Sequence, residues 1–431
     1  MNLPPGFQSA LAALENEPLT GRDKGLPAGK LRMGDIGRQG WNVLRGDVPL
    51  PAMVIRWADV QHNVRLMQNY CDRQGAWLAP HGKTTMAPQI FAAQLAAGAW
   101  AMTVANSAQL QVARSFGLDR VMLGNEAIGD YDCRYLAAEM RQHPDFEPYV
   151  QVDSRDGLER LARALEREGV DRPLSVLVEL GMPDGRCGVR TVDEAQALAA
   201  AVLASGGRLR LAGVEGYEGI AHGDTRDEAA AAASEFLARL SEAARAIQPM
   251  VPGGIFLVVA GGSRYFDLAV AHLGRAALPE AQLVLRPGTY VAHDSGHYAE
   301  VSPWGQRLGP ADPASQLHPA LEIWSTVLSR PEPDLAILGM GKRDVPVDLD
   351  PPIPLYRSRA EAPAELIGDD CKVFRVQDQH AYLRLPPGAD LRVGDLVGSG
   401  ISHPCTSFDK WRVMLTVDEG RNVTGAIRTF F

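Results

Sequence analysis

The sequence predicts an α/β protein, a (β/α)8 barrel followed by a second, β-rich domain. Two observations lead to this prediction. From residue 50 onward, short apolar runs alternate with amphipathic stretches, the pattern of βα units that form a parallel sheet. After residue 300, Pro-rich and Gly-rich connections separate short β-like runs, and helical periodicity is weak.

The number of apolar runs favours a closed barrel. There are eight: AWLAP (76–80), WAMTVAN (100–106), RVMLGN (120–125), PYVQVD (148–153), SVLVELG (175–181), LRLAGVEGY (209–217), FLVVAGG (256–262) and LVLRPGTY (283–290). The helical patterns between them often end in Gly, as helices do. Eight βα units in about 250 residues is the usual size of such a barrel. A doubly wound open sheet is the alternative.

The predicted boundaries follow these patterns. Residues 48–300 form the barrel, and 301–431 form the β-rich domain, with runs such as LEIWSTVLSR, LAILGMG, KVFRVQ, AYLRLP, DLVGSG, RVMLTVDE and VTGAIRTF. The polar, Pro-bearing segment 1–47 is expected to join the β-rich domain. The stretch DVQHNVRLMQNYCDRQG predicts an extra helix that leads into the barrel.

Composition excludes several classes of function. The 431 residues carry a net charge of −9 with no basic block, so nucleic acid and anionic membranes are poor partners. The five cysteines are scattered, which favours a reducing compartment over a disulfide framework. We find no secretory signal pattern and no apolar segment of membrane-spanning length. The sequence predicts a cytoplasmic protein that acts on a small molecule.

Candidate site residues follow the apolar runs, because barrel active sites form at the C-terminal ends of the strands. Gly261, Gly262 and Ser263 follow the seventh run, and Gly288-Thr289-Tyr290 follow at the end of the eighth. Small-residue turns at these two places are typical of a phosphate site built from backbone N–H groups. Glycine is common in any βα turn, so a purely structural role is the alternative.

Lys83 follows the first run, within PHGKT. A lysine at the barrel mouth, across from a phosphate site, is placed to form a Schiff base with pyridoxal phosphate, since burial lowers its amine pKa and makes it nucleophilic. Arg186, after the fifth run, would hold the cofactor's phenolate oxygen ionised. An exposed loop lysine and a surface ion pair are the alternatives.

The second domain contains GSGISHPCTSFDKW (398–411). In an extended segment His403 and Cys405 would face the same side, so an imidazole and a thiolate could bind one Zn²⁺ together. Two protein ligands leave positions open to water or substrate, the catalytic pattern. His-x-Cys also occurs often by chance. His380 is a weaker candidate, with a surface or interface role as its alternative.

Together these motifs resemble one family. PHGKT, DGRCGV, the Tyr217 strand, AGGS, LRPGTYVAHD and GDLVGSGISHPCTSFDKW occur in the order found in the D-serine dehydratase and D-threonine aldolase family, fold-type III pyridoxal-phosphate enzymes related to alanine racemase. The resemblance runs from about residue 50 to the end. It implies an alanine racemase-type barrel whose mouth is covered by a β domain, and a homodimer.

The resemblance also implies roles for individual residues. Lys83 carries the cofactor, beside His81; Arg186 faces the phenolate oxygen, and Tyr217 lies near the pyridine ring. Gly261, Gly262, Ser263, Gly288, Thr289 and Tyr290 surround the phosphate. His403 and Cys405 are the metal pair, and His-x-Cys with zinc is typical of the dehydratase branch, whereas the aldolase branch tends to His-x-Asp with a harder cation.

The expected activity is therefore a metal-assisted ammonia-lyase reaction that converts a D-3-hydroxy amino acid, such as D-serine or D-threonine, into a 2-oxo acid and ammonia. The alternatives are a D-threonine aldolase, a racemase and a cofactor-binding protein without turnover. The family often reads Lys-Thr-His-Lys, whereas Thr85-Met86 follows Lys83-Thr84 here, which leaves the substrate open. Lys342, Arg343 and Lys410 are candidate partners for a second substrate carboxylate.

Overall fold

The computed structural model describes residues 3–251, 253–309 and 312–431. Residues 1 and 2 of the predicted N-terminal segment, residue 252 of the predicted barrel range, and residues 310 and 311 of the predicted β-rich range lie outside it. The chain begins with helix α1 (Pro5–Glu15), a hairpin of β1 (Pro18–Thr20) and β2 (Lys30–Arg32), and short 3₁₀ helices at Met33–Arg38 and Val43–Arg45. Strand β3 (Ala52–Arg56) and helix α2 (Trp57–Gln74) follow, and α2 confirms the predicted extra helix.

All eight predicted parallel strands are present. They are β4 (Trp77–Leu78), β5 (Met102–Val104), β6 (Arg120–Leu123), β7 (Glu147–Val152), β8 (Leu174–Leu180), β9 (Leu209–Gly216), β10 (Phe256–Ala260) and β11 (Ala281–Leu285). They form one sheet in the order β4-β11-β10-β9-β8-β7-β6-β5. The predicted (β/α)8 class is therefore confirmed, and the alternative doubly wound order is wrong.

Helices connect the strands. They are α3 (Pro88–Ala97), α4 (Ser107–Ser115), α5 (Asp130–Gln142), α6 (Arg155–Glu168), α7 (Val192–Leu203), α8 (Arg226–Ile247) and α9 (Phe266–Leu273). Several start at side-chain caps, and Thr191 and Thr225 form capping boxes with Glu194 and Glu228. Among the described residues, no helix combines the length and apolar character that crossing a membrane requires.

The sheet closes at the turn that carries Lys83. Beyond the end of β4, His81 forms a parallel bridge with Thr103 of β5, the strand at the other end of the sheet. The Thr103 N–H donates to the Pro80 carbonyl oxygen at 2.8 Å, and the Trp100 N–H donates to that of Leu78 at 2.7 Å. The segment that completes the barrel is thus also the segment that presents the lysine.

The barrel interior is divided between an apolar layer and a polar layer. Small and medium apolar side chains pack inside it: Ala79, Ala101, Met122, Tyr149, Leu177, Ala212, Leu257, Val259 and Val284. The six strands β6 to β11 each contribute at least one of them, and Ala79 and Ala101 lie next to β4 and β5. Charged side chains such as Glu179, Glu215 and Arg286 line the cavity at the C-terminal ends of the strands. A packed floor and a polar mouth are typical of enzyme barrels.

The second domain is a mainly antiparallel sheet. Helix α10 (His297–Val301) precedes β12 (Leu321–Glu332), β13 (Leu335–Leu338), β14 (Ile353–Ser358), β15 (Glu365–Leu366), β16 (Lys372–Val376), β17 (Ala381–Arg384), β18 (Leu396–Gly400), helix α11 (Cys405–Phe408), β19 (Val413–Val417) and β20 (Val423–Arg428). The seven strands predicted here are confirmed, whereas β14 and β15 were not predicted.

The region before the barrel joins this second sheet. Strand β3 pairs antiparallel with β12 and parallel with β19, so residues 52–56 belong to the same sheet as the C-terminal strands. Asn42 bridges to Asn422, and the Val43 N–H donates to the Arg421 carbonyl oxygen at 3.1 Å. The chain thus passes through the β-rich layer before it enters the barrel. The domain boundaries at residues 48 and 301 remain predictions.

The segment that connects the barrel to the β-rich domain contains a buried histidine that should make the stability of the protein depend on pH. His293 adopts a left-handed backbone (φ 47°), and burial, together with the nearby His318, lowers its pKa to about 4. Its folded pKa lies below the unfolded value, so its contribution is complete above pH 6.5 and is lost as pH falls toward 4.

We expect wild type to lose up to about 1.4 kcal/mol of unfolding free energy per pH unit from this group over that window. His293→Asn, which tolerates positive φ, should remove that part of the slope. Urea unfolding of both proteins between pH 7 and 4.5 measures the difference, and parallel curves would contradict the assignment.

Candidate active site

Five of the twelve predicted site residues line one cavity at the barrel mouth. The cavity has a volume of about 550 Å³ and is lined by residues from several strand ends: His81, Lys83, Ala105, Gly124, Asn125, Glu126, Gln151, Glu179, Arg186, Cys187, Glu215, Tyr217, Ala260, Gly262 and Arg286. This is the arrangement that βα connections produce, because all the C-terminal strand ends lie on one face. The predicted residues His81, Lys83, Arg186, Tyr217 and Gly262 are thus neighbours.

Lys83 lies in a short 3₁₀ helix, Gly82–Thr84, directly after β4. Burial lowers the pKa of its amine, and the nearby Arg186 and Arg286 guanidinium groups lower it further, while Cys405 opposes them. A lowered pKa increases the fraction of neutral amine near pH 7. The geometry therefore gives this lysine a chemical character that an exposed loop lysine lacks.

His81 and Arg186 line the cavity together with Lys83. Burial and the charges of Lys83 and Arg286 hold the pKa of His81 well below its usual range, so its ring is neutral. Its Nδ1 atom is buried without a hydrogen-bond partner among the described residues. The Arg186 guanidinium carbon lies 5.1 Å from the centre of the Tyr217 ring, a cation–π contact that joins the loops after β8 and β9.

The two turns predicted to bind a phosphate lie side by side. The Gly288 N–H donates to the Ser263 hydroxyl at 3.2 Å. A Cβ atom on Gly288 would lie 2.7 Å from Thr84 Oγ1, so only glycine lets this turn approach the lysine turn. The hydroxyl of Thr289 is buried in this turn, beside the side chain of Tyr298. The Tyr290 side chain, by contrast, lies in the core, where its hydroxyl accepts from Gln94 Nε2 at 2.9 Å.

Glu218 is a buried acid that the sequence analysis did not identify. One oxygen of its carboxylate accepts from the Gly261 N–H at 3.1 Å, and the other accepts from the Gly262 N–H at 2.6 Å. Gly261 has φ 82°, and a Cβ there would lie 2.4 Å from Leu285 Cδ2. Two of the backbone donors predicted to bind a phosphate are therefore already engaged by Glu218.

This contact yields a stability prediction. Glu218→Gln keeps the side-chain size but leaves one acceptor oxygen for two N–H groups, so one buried donor should lose its partner, at a cost of about 1–3 kcal/mol. Urea unfolding would measure the loss. Glu235→Gln, on the exposed face of α8, is the control and should change the unfolding free energy by less than about 0.5 kcal/mol. Equal stability of both variants would contradict the role assigned to Glu218.

Carboxylates line another wall of the cavity. Arg286 forms an ion pair with Glu215, and their side chains are only 9% and 1% exposed. Burial, with the charge of Glu215 and contact with Glu126, raises the pKa of Glu179 well above its ordinary range, so Glu179 keeps a proton at neutral pH. Ligand atoms of Glu126, Asp153 and Cys187 lie within 4.8 Å of one another. No sequence motif marked these acids.

The second domain brings His403 and Cys405 to the lysine turn. The Cys405 Sγ atom lies 3.3 Å from the hydroxyl oxygen of Thr84, the residue after Lys83. A hydrogen bond to Cys405, with a further one to Asp348, raises the pKa of His403 to about 9 against the opposing effect of burial. The predicted extended segment is wrong, because Pro404 is in the right-handed helical region (φ −59°, ψ −41°) and Cys405 begins α11. The two side chains converge through a turn instead.

Residues from the junction between the barrel and the β-rich domain also border the site. Tyr298 of α10 is mostly buried, and the neighbouring Cys405 and Tyr217 are among the groups that raise its pKa, after burial itself. The Ser295 N–H, just before α10, donates to the Ile401 carbonyl oxygen at 3.0 Å. This bond connects α10 to the loop that carries His403 and Cys405. The candidate cations Lys342 and Arg343 are exposed and do not line the cavity, and His380 is exposed in a hairpin.

Comparison with known proteins finds matches for both the barrel and the β-rich domain. Residues 55–262 match the alanine racemase N-terminal domain, and residues 320–417 match the putative serine dehydratase domain. A D-threonine aldolase from Arthrobacter sp. is 27% identical over 384 residues, which cover 86% of this chain and 90% of that protein.

Two solved structures share the fold. D-threonine aldolase from Filomicrobium marinum superposes with a TM-score of 0.73 at 24% identity, over 90% of this chain and 97% of that one. The metal-free form of a cysteine-to-alanine mutant of D-threo-3-hydroxyaspartate dehydratase superposes with a TM-score of 0.71 at 20% identity, over 90% and 99%. The predicted alanine racemase-type fold with a β-rich second domain is confirmed.

Proposed function

We propose that the chain is a pyridoxal-phosphate- and metal-dependent lyase that acts on D-3-hydroxy amino acids, because it matches the alanine racemase N-terminal and putative serine dehydratase domains and is similar to a D-threonine aldolase over most of its length. Within that class we propose dehydration to a 2-oxo acid and ammonia. The single observation that carries this choice is the thiol of Cys405, 3.3 Å from the hydroxyl of the residue that follows Lys83. A soft thiolate favours zinc over the harder divalent cations.

The residues present fit the two groups that the family implies. Lys83 would hold pyridoxal phosphate covalently, Arg186 would face its phenolate oxygen, and Tyr217 would lie beside its ring. The buried hydroxyl of Thr289 and the N–H groups near Ser263 are suited to a phosphate. When bound, the cofactor would withdraw electrons from the substrate α-carbon, and Zn²⁺ on His403 and Cys405 would act as a Lewis acid toward the β-hydroxyl.

The protein's own groups supply the proton transfers and the environment. The Lys83 amine, whose pKa is lowered by burial, is the base that takes the α-proton. The neutral His81 ring and the protonated Glu179 limit the charge beside the reacting atoms. Cys405 and Tyr298 would exclude bulk water from the lysine. Exclusion of water strengthens the electrostatic interactions in the cavity.

Retro-aldol cleavage is the second candidate, because the Arthrobacter relative is a D-threonine aldolase that covers most of the chain. It would use the same lysine and metal pair, but would break the Cα–Cβ bond and give glycine and an aldehyde. Cys405 is the feature that favours dehydration over this outcome.

One assay separates these reactions. Purified protein with pyridoxal phosphate, Zn²⁺ and D-threonine should form 2-oxobutanoate and ammonia and little glycine. Glycine and acetaldehyde as the main products would make it an aldolase despite Cys405. No product from D-threonine, D-serine or D-3-hydroxyaspartate would overturn the proposed class, and L-threonine is the stereochemical control.

A further inference from the structure

Asp348 lies directly behind the ring of His403. Its Oδ2 atom is 2.5 Å from His403 Nδ1, and its Oδ1 atom accepts from the Thr406 hydroxyl at 2.9 Å. Thr406 follows Cys405 in the chain, so both oxygens of Asp348 are bound within the loop that carries the two proposed ligands. A carboxylate with both oxygens engaged is fixed in orientation and can fix the ring it contacts.

The contact determines which ring nitrogen is free. With Nδ1–H donating to Asp348, only Nε2 keeps a lone pair for a cation. Cys405 begins α11 two positions after His403, and its thiol lies 3.3 Å from the Thr84 hydroxyl at the lysine turn. Histidines that bind metals usually donate their other N–H to a carboxylate or carbonyl, which sets the tautomer and raises the basicity of the ligand nitrogen.

Asp348 is not itself placed as a third ligand. Among the described residues, the set of three or more His, Cys, Asp or Glu donors with ligand atoms within 4.8 Å of one another is Glu126, Asp153 and Cys187, on the barrel wall. Asp348 does not share such a cluster with His403 and Cys405. Its carboxylate therefore acts on the cation through the imidazole.

We propose that Asp348 is a positioning residue that holds His403 as the Nε2 ligand of a zinc-type divalent cation. This inference rests on the metal pair of the proposed function. The hydrogen bond to the carboxylate stabilises the tautomer that binds metal and increases the electron density on Nε2. Loss of such a partner commonly lowers metal affinity by about 10–100-fold.

The test is the Zn²⁺ affinity of the purified full-length chain, measured by competition with a chromophoric chelator. Asp348→Asn should raise the Zn²⁺ dissociation constant about 10–100-fold, and Asp348→Glu should recover part of the loss. Asp350→Asn is the matched control, since Asp350 lies in the same loop but accepts from Ser402 Oγ at 2.7 Å. It should change the dissociation constant by less than about threefold.

Each result has a defined meaning. Equal affinity of wild type and Asp348→Asn overturns the role of Asp348 and leaves the metal pair intact. If wild type binds no Zn²⁺ that depends on Cys405, the metal pair fails and the inference fails with it. Should Asp348→Asn not fold, Thr406→Val keeps the carboxylate but frees one of its oxygens, and unchanged affinity in that variant would count against the proposal.

Discussion

Lys83→Ala should abolish both activity and covalent retention of pyridoxal phosphate. The lysine is the attachment point in the proposed reaction and also the base, so we expect turnover to fall by roughly 10⁴-fold or more. Borohydride reduction followed by peptide mass analysis should place the cofactor on Lys83 in wild type and on no residue in the variant. These two readouts are independent, because the labelling requires no turnover.

Two controls make this result specific. Lys83→Arg keeps the positive charge among Arg186, Arg286 and Cys405 but lacks a primary amine, so it should fail in the same way. Lys410→Ala removes a cation that does not line the cavity and should label as wild type does. Full activity in Lys83→Ala would remove the central residue of the proposed mechanism.

Cys405→Ala should lose bound Zn²⁺ and most of the production of 2-oxobutanoate. A metal that assists departure of the hydroxyl group contributes several kcal/mol, so we expect the rate to fall by roughly 10²-fold or more. Metal content after desalting and the rate of 2-oxobutanoate formation would be measured together. Lys83 labelling should persist, which separates this defect from loss of the cofactor.

Cys371→Ala is the matched control, because Cys371 is a buried thiol of the same domain whose contact is the Ile367 carbonyl oxygen at 3.7 Å. It should keep both metal and activity. A second variant, Cys405→Asp, offers a harder ligand and should shift the preference from Zn²⁺ toward Mn²⁺ or Mg²⁺. Unchanged zinc content in Cys405→Ala would place the metal elsewhere.

The barrel could be predicted because its signal is local. Each strand is a short apolar run next to a helical pattern, and the site residues follow the runs, so His81, Lys83, Arg186 and Tyr217 needed only the rule that strand ends share a face. The sequence around strand β3 gave no sign that this strand belongs to the β-rich sheet. Its five residues precede a long helix like any βα unit, although they pair with strands near residues 321 and 415.

The missed site residues depend on partners that are distant in the sequence. Asp348 meets His403 across 55 positions, and Glu218 binds the N–H groups of a turn 43 and 44 positions away. A single acid in a loop has no periodicity and no motif, and its role appears only once the strands bring the partners together. The side chain of Tyr290 lies in the core, which its place in a small-residue turn does not reveal.

The pairing of the first and last barrel strands has a kinetic consequence. Strand β4 pairs with β11 at Trp77 and Val284, and such long-range pairing is intrinsically slow because much loop-closure entropy is lost before the contacts form. The lysine turn bonds to the segment that follows β11, where the His81 N–H donates to the Pro287 carbonyl oxygen at 3.0 Å. Capture of the cofactor by refolding chains should therefore follow the pairing of β4 with β11.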